Sequence, residues 1–255
     1  MRPQDLEALM GDVRSRHPGA DLARLEDNFA AFMRGESRQP PDPLQRPTYW
    51  YQGMPDQPWH DRRNYPAIPV LEANHAVIRD DLERLIQDRR QLEVFRGGDP
   101  GVMADYIRGD LSVFYFRDQF ASEAEQARMQ RNRLLAPRTA AVLDAVPRLG
   151  ETAFFSIIGP GTHLRPHYGA ENLRVFVHLG VVIPEGCAIR VADREVTWEE
   201  GKCIVFDDSY QHEAWNRGKA VRTILLVELW HHDLNDAEIE FFQRFSLLRR
   251  ADPVA

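Results

Sequence analysis

The hydrophobic pattern of this chain changes period once, near Gly150, and that change constrains the fold more than any other feature. Downstream of it, Phe154-Phe155-Ser156-Ile157-Ile158, Leu173–Ile183, Ala188–Ala192, Cys203–Phe206 and Val221–Trp230 are β-branched or aromatic runs. Gly159-Pro160-Gly161, Pro184-Glu185-Gly186, Ala192-Asp193-Arg194, Gly201 and Arg217-Gly218 punctuate them with turn chemistry. Short strands in succession, with no helix interleaved, predict a sandwich or jelly roll. Upstream the period is helical. Leu6, Leu9, Met10 and Val13, then Leu22, Leu25, Phe29, Phe32 and Met33, recur at helical spacing. His17-Pro18-Gly19-Ala20 breaks the two helices, and Asp21 is placed to cap the second.

Three regions follow. Residues 1–38 read as a helical extension that either packs on the core or pairs two chains into a homo-oligomer. Residues 39–69 form a proline- and aromatic-rich connector, opening with Gln39-Pro40-Pro41-Asp42-Pro43, whose rings either anchor the helices or form a substrate lid. Residues 70–255 hold further helices and a β-core at about 150–232. Within them, 70–92 predicts one amphipathic helix with Leu71, Ala73, Asn74, Val77, Ile78, Leu82, Leu85 and Ile86 on a shared face. A helix over 122–145 is broken by Pro137 or restarts there. The fold class is α+β, helices first and β-core second.

Composition excludes several functions. The 255 residues are 43% hydrophobic and 28% charged, which rules out a disordered or fibrous chain. A net charge of −7 argues against a non-specific nucleic-acid binder. No run nears the ~18 apolar residues of a membrane span, and the N-terminal stretch lacks the apolar segment of a signal peptide. Cys187 and Cys203 are too few for a disulfide scaffold and read as buried free thiols. A cytoplasmic protein without membrane or nucleic-acid partners is the expectation.

Of the nine histidines, His167, His178 and His212 fall in or beside the strand runs. Alternation puts Arg222, Ile224, Leu226 and Glu228 on one face, Arg174, Phe176 and His178 on another, and Phe154, Ser156 and Ile158 on a third. Arg222 stands inside a strongly apolar strand, where an unpaired guanidinium costs several kcal/mol. Turned inward, these faces make a pocket with two ligand-type imidazoles, a third histidine, a hydroxyl and an arginine. It suits a divalent metal plus a dicarboxylate, with Arg222 gripping one carboxylate bidentately. His17, His60 and His75 read as surface or helix-face residues without a role, and Arg128, Arg131 and Arg133 as a solvated face. Arg62 and Arg63 are candidates to reach a substrate.

The joint pattern resembles the aspartyl/asparaginyl β-hydroxylase family of Fe(II)/2-oxoglutarate oxygenases. It is carried by Phe155-Ser156, Pro160-Gly161-Thr162, His167-x-Gly169-x-x-Asn172-x-Arg174, His178-Leu179-Gly180, Pro184-x-Gly186-Cys187, Trp198-x-x-Gly201-Lys202, Phe206-Asp207-Asp208-Ser209, His212-Glu213-Ala214-Trp215-Asn216, Arg222 and Trp230-His231. Weaker similarity extends through Trp59, Leu71-Glu72 and Pro137-x-Thr139, so that roughly residues 49–240 are covered.

The resemblance implies a double-stranded β-helix, a jelly roll of the cupin kind, with Fe(II) on His167 and His212. It implies 2-oxoglutarate on Arg222 and Ser156, His178 near the metal-side carboxylate, and O2 as the oxidant of an amino-acid β-carbon. Arg174 is expected on the cofactor side, paired with Asp207 or Asp208. Where most such oxygenases continue His-x-Asp/Glu, this chain has Gly169, a feature that family shares. Glu171 or Asp208 could substitute as a ligand, with no positional argument for either. One departure stands out: the family's second arginine is here Phe176, whose ring cannot pair with a carboxylate. The substrate expected is therefore a less acidic amino-acid unit, free, peptidyl or carrier-bound. His232 also stands where proline is common. Two other classes remain open: a cupin-like metalloenzyme acting without 2-oxoglutarate, and a non-catalytic β-sandwich that binds a partner.

Overall fold

A strand buried at every position must be covered on both faces, and Arg222–Trp230 is such a strand. That is why its sequence reads as a continuous apolar run rather than an alternating one. It lies near the middle of the larger of two antiparallel sheets in the computed structural model, which describes residues 3–87, 93–94, 107–119 and 121–251.

The chain opens with helices α1 (Pro3–Arg16) and α2 (Ala23–Met33), then a connector, α3 (Ala67–Ala73) and α4 (His75–Gln87). Strands β1 (Glu93–Val94), β2 (Ile107–Arg108) and β3 (Leu111–Asp118) precede helices α5 (Glu123–Leu135) and α6 (Pro137–Asp144). Then come β4 (Leu149–Ile158), β5 (His163–His167), β6 (Arg174–Val182), β7 (Cys187–Val191) and β8 (Arg194–Val196). The series ends with β9 (Cys203–Phe206), β10 (His212–Asn216), β11 (Arg222–Trp230) and helix α7 (Asp236–Ala251). The major sheet has the order β1-β3-β4-β11-β6-β9 and the minor one β2-β5-β10-β7-β8. This is a jelly-roll, double-stranded β-helix core with helices before and around it.

The two faces of the major sheet do different work. Phe155, Val175, Val177, Leu179, Val205, Leu225 and Val227 point outward and pack under Ile68, Leu71, Ile78, Leu82 and Leu143 of the helices. At ~25 cal/mol per Å2 of apolar surface, each large side chain buried there contributes about 1.5–3 kcal/mol. Phe154, Ile224 and Leu226 point inward, with Ile189 and Val191 of the minor sheet, and line the barrel.

Several elements differ from the sequence expectation. The single helix over 70–92 is two helices, because Asn74 ends α3 and folds its side chain back onto the Val70 carbonyl at 2.8 Å. Residues 88–92 lie outside the described ones. Pro137 does restart a helix, occupying its first turn. Strands β3, β5 and β10 fall where no strand was expected, and β3 carries the β-core upstream of residue 150. Asp21 sits one residue before the helix boundary and accepts from Ala23 N–H at 3.0 Å.

Residues 3–38 pack on the core through α7. Phe29 meets Phe241 edge to face, with centroids 6.1 Å apart. Arg24 donates to both Glu238 oxygens at 2.8 Å, and Tyr51 O–H donates to the same carboxylate at 2.6 Å. The connector is fixed by ring burial and by bridges to the barrel, Tyr49 to Glu171 and Trp59 to Phe206. Arg62 and Arg63 are taken up by Glu72 and Asp61. Cys187 and Cys203 are free and buried.

Candidate active site

His167 ends β5, and His212 opens β10 directly opposite it in the antiparallel register. The irregularity between His212 and Ala214 lets the pair turn into the barrel together with Leu164. Their ring centroids are 4.0 Å apart. Nδ1 of His167 donates to the Arg165 carbonyl at 2.7 Å, and Nδ1 of His212 to the Tyr210 carbonyl at 2.9 Å. Each bond sets the tautomer, so both rings carry their lone pair on Nε2. Burial holds both rings in the neutral form. His212 is pushed down to about 3 by burial and then by His167, against the pull of the Tyr210 and Asp208 backbone, and burial lowers His167 as well. Two adjacent neutral imidazoles with fixed Nε2 lone pairs suit a divalent ion of the first transition row.

The third position is occupied in an indirect way. A Cβ built on Gly169 would fall inside the carboxylate of Asp208. The space that an acidic side chain at 169 would fill is thus filled by Asp208 from across the site, and its backbone carbonyl accepts from Gly169 N–H at 2.6 Å. The sequence offers Asp208 with no argument from position, and its overlap with the side-chain space of Gly169 supplies one. Burial, with Asp207 and Glu228 nearby, pushes the Asp208 carboxyl well above the usual range. Asp207 instead braces the turn, accepting from Ser209 N–H at 2.8 Å and Gln45 Nε2 at 3.2 Å. Gly169→Ala is expected to lose about 1–3 kcal/mol by overpacking, and Asp208→Ala in the same chain to recover most of that loss. Urea midpoints of the four proteins check it; strictly additive effects would show that the two do not share the space.

Arg222 lies at the other end of the same cavity. It is 2% exposed, and among the described residues no carboxylate pairs with it. One guanidinium nitrogen donates to Ser156 Oγ at 3.2 Å and to the Ser156 carbonyl at 3.3 Å, while Nε has no partner. The group lies 4.3 Å from the Trp198 ring centroid. Burial pushes its pKa down to about 9. His178 bridges the two ends: it stacks on Trp198, and that indole N–H donates to its Nδ1 at 3.4 Å. Its proton therefore sits on Nε2, which is buried and without a partner. Burial, Arg222 and His212 lower its pKa, in that order.

His167, His212, Ser156, His178 and Arg222 thus converge as the faces predict, and Arg174 does not. Arg174 pairs with Trp230 at the far end of β11, eight residues from Arg222, or roughly 27 Å along the strand. Its guanidinium meets Glu171 at 2.7 Å, Glu151 and Glu228, and lies over Trp230. The expectation that Arg174 sits on the cofactor side beside Arg222 is corrected: it forms ion pairs with Glu151 of β4, Glu228 of β11 and Glu171 just before β6, and its charge also acts on the Asp208 carboxyl. Phe176 presents its ring to Phe206 and His178.

The aspartyl/asparaginyl beta-hydroxylase family profile matches residues 72–232. Human aspartyl/asparaginyl beta-hydroxylase is 36% identical over 200 residues, covering 74% of this chain and 25% of that protein. The chain thus spans about a quarter of the length of that relative. The ornithine lipid ester-linked acyl 2-hydroxylase of Rhizobium tropici is 33% identical over 181 residues, covering 70% of this chain and 62% of that one. Among solved structures, a Pseudomonas putida prolyl-4-hydroxylase is similar at 17% identity and a TM-score of 0.40, over 69% of this chain and 94% of that one. With the profile spanning most of the β-core and its flanking helices, the chain belongs to the aspartyl/asparaginyl beta-hydroxylase family.

Proposed function

We propose that this hydroxylase is an Fe(II)- and 2-oxoglutarate-dependent dioxygenase acting on the β-carbon of an amino-acid unit, free, peptidyl or carrier-bound. The observation that carries the reading is Arg222, a guanidinium fully buried with no carboxylate partner among the described residues. A cation left so is costly unless an anion from outside completes it. The chain's buried donors run from Arg222 and Ser156 through His178 to the imidazole pair. A dicarboxylate of 2-oxoglutarate length, held at one carboxylate by Arg222 and Ser156, extends its keto-acid end toward His167 and His212. His178 Nε2–H supplies a hydrogen bond on the way.

A ferrous ion held by His167 and His212 would supply the chemistry that couples O2 reduction to oxidative decarboxylation of the co-substrate, giving the oxidant for a C–H bond. The chain's own task is geometry. The Tyr210 and Arg165 carbonyls orient the two ligand imidazoles. Phe154, Ile224 and Leu226 keep the cavity dry. Phe176 in place of a second arginine favours a substrate with less acidic character. One relative is named for aspartyl and asparaginyl units and the other for an ester-linked acyl group on an ornithine lipid, so the screen should span both. Succinate release is measured with Fe(II), ascorbate and 2-oxoglutarate against free amino acids, peptides and an ornithine lipid. Substrate-stimulated succinate is expected; metal-dependent turnover of a substrate with no 2-oxoglutarate consumed would instead favour the cupin-like alternative.

A further inference from the structure

A buried group of hydrogen-bond donors lies on the opposite face of the major sheet from the His167–His212 pair. Along β11, Ile224 and Leu226 face the barrel interior, and Leu225, Val227 and Leu229 face the helices. His231 continues the outward row just past the strand end. It meets His60 of the connector, with centroids 4.9 Å apart, and His232, at 4.6 Å. The sequence reads His60 as a surface residue, but it is only 8% exposed, and His231 is 1% exposed.

The hydrogen bonds fix which nitrogen of each ring carries the proton. Asp233 N–H donates to His231 Nδ1 at 3.0 Å. Gln57 Nε2 donates to His60 Nδ1 at 3.3 Å, and Tyr65 O–H lies 3.2 Å from the same atom. Both rings therefore hold their proton on Nε2, and neither Nε2–H has an acceptor. His232 is fully engaged, with Asn64 Nδ2 at 3.2 Å from its Nε2 and the Tyr65 oxygen at 3.3 Å from its Nδ1. Buried polar atoms are ordinarily hydrogen-bonded, so the two inner N–H groups need an acceptor that the described residues do not supply.

Arg148 brings a charge to the same place. It stands just before β4 at φ +58°, a conformation that residues other than glycine rarely adopt. Its terminal nitrogens donate to the carbonyls of His232, at 3.3 Å, and Leu234. Its buried Nε has no partner, and among the described residues no carboxylate pairs with it. We propose that His60, His231 and Arg148 form a binding site for one small monovalent anion, a carboxylate of formate or acetate size. Burial keeps the two rings neutral, with His60 pushed down to about 4 and His231 to about 2. Arg24, which also acts on His231, is balanced by Asp233 and Glu238. Arg148 is then the one uncompensated charge of the cluster, and a single negative charge matches it. A carboxylate is acceptor-only and takes hydrogen bonds on both oxygens, which suits N–H donors arriving from separate segments. The cluster adjoins a cleft of about 230 Å3 bordered by Tyr65, Arg148 and His232, where Pro66, Pro147 and Leu229 offer apolar wall for a short carbon stem.

The anion would tie the connector at His60 to the end of β11 at His231 and to the turn before β4 at Arg148. Trp59, beside His60, packs on Phe206 at 5.9 Å, and Phe206 packs on His212 at 5.7 Å. Occupancy thus steadies one wall of the hydroxylase site from outside, without entering its reaction.

The metal-free full-length chain is titrated with carbon-13 formate, with ionic strength held constant by a bulky sulfonate buffer. Binding is followed by the formate line width in carbon-13 NMR and by thermal melting. Because Arg222 is also a buried guanidinium, Arg222→Met is measured beside the wild type. Both proteins are expected to broaden the formate signal and to melt several degrees higher at saturating formate. Arg148→Gly, which suits the left-handed backbone, and His231→Phe should each lose the melting shift and bind formate at least about tenfold more weakly, with unchanged far-UV circular dichroism. A wild type that formate neither broadens nor stabilises, the result if water alone fills the site, overturns the proposal. A shift kept in Arg148→Gly, or lost in Arg222→Met, overturns it as well. Should His231→Phe not fold, Arg148→Gly keeps the test intact.

Discussion

Replacing Arg222 by methionine is expected to make the ligand-free protein more stable and to remove 2-oxoglutarate binding at the same time. The side chain is fully buried, without an anion and with Nε unpartnered. Exchanging buried charged groups for apolar ones of similar volume is often neutral or stabilising by about 1–4 kcal/mol. In a chain of this size that is a rise of roughly 2–4 °C per kcal/mol. The methionine would lie against Trp198, which now receives the guanidinium at 4.3 Å. Co-substrate affinity should meanwhile fall by about 100-fold or more, because a bidentate charge-assisted contact is lost. Arg222→Lys should fall in between, since an ammonium keeps charge but not the planar fork. Thermal melts without ligand and calorimetric titration with 2-oxoglutarate read the two effects separately. A less stable methionine variant that binds 2-oxoglutarate normally would mean that the arginine serves the fold and not a ligand.

Removing either ligand imidazole should be the most damaging single change to turnover. Loss of an outer hydrogen-bond partner of a metal ligand already costs about 10–100-fold in affinity or activity. Deleting His167 or His212 removes half of the imidazole set itself, so His167→Ala and His212→Ala should each lower Fe(II)-dependent succinate formation by at least ~100-fold. Both residues lie in short strands at the barrel mouth rather than under the helices, so the fold should survive, with melting temperatures near that of the wild type. Sustained succinate formation in both variants would remove the metal assignment.

The sequence was most legible where burial imposes a pattern. Val221–Trp230 and Leu173–Ile183 are continuous apolar runs because β11 and β6 are covered on both faces, and their boundaries match the strands closely. It was least legible where function replaces packing. In β5 and β10 the end positions are His167 and His212, and the strands read His-Leu-Arg-Pro-His and His-Glu-Ala-Trp-Asn. Ligands in place of apolar residues erase the alternation that would mark them. Strand β3, Leu-Ser-Val-Phe-Tyr-Phe-Arg-Asp, has the aromatic content of a strand and follows the turn at Gly109-Asp110, but it stands upstream of the period change, next to helical segments.

Within the site, face alternation brought Ser156, His178 and Arg222 together correctly, since strand neighbours follow from period alone. It also placed Arg174 on the right face of β6. What it could not supply is distance along the strand, which separates Arg174 from Arg222, or the side chains arriving from other strands, Glu151 and Glu228. The places of Asp208 and Glu171, which the sequence offers with no argument from position, are hidden for the same reason. Their positions depend on which segments the turns and the connector bring together, and no local period encodes that.

In the proposed function, a ferrous ion at His167 and His212 would be chelated by 2-oxoglutarate that Arg222 anchors. Anaerobic addition of 2-oxoglutarate to the Fe(II)-loaded protein, followed by visible absorption, tests it most directly. A metal-to-ligand charge-transfer band should appear and saturate in the wild type. It should be absent in His212→Ala and should require far more co-substrate in Arg222→Lys. No band in the iron-loaded wild type, or a band indifferent to both substitutions, would contradict the account.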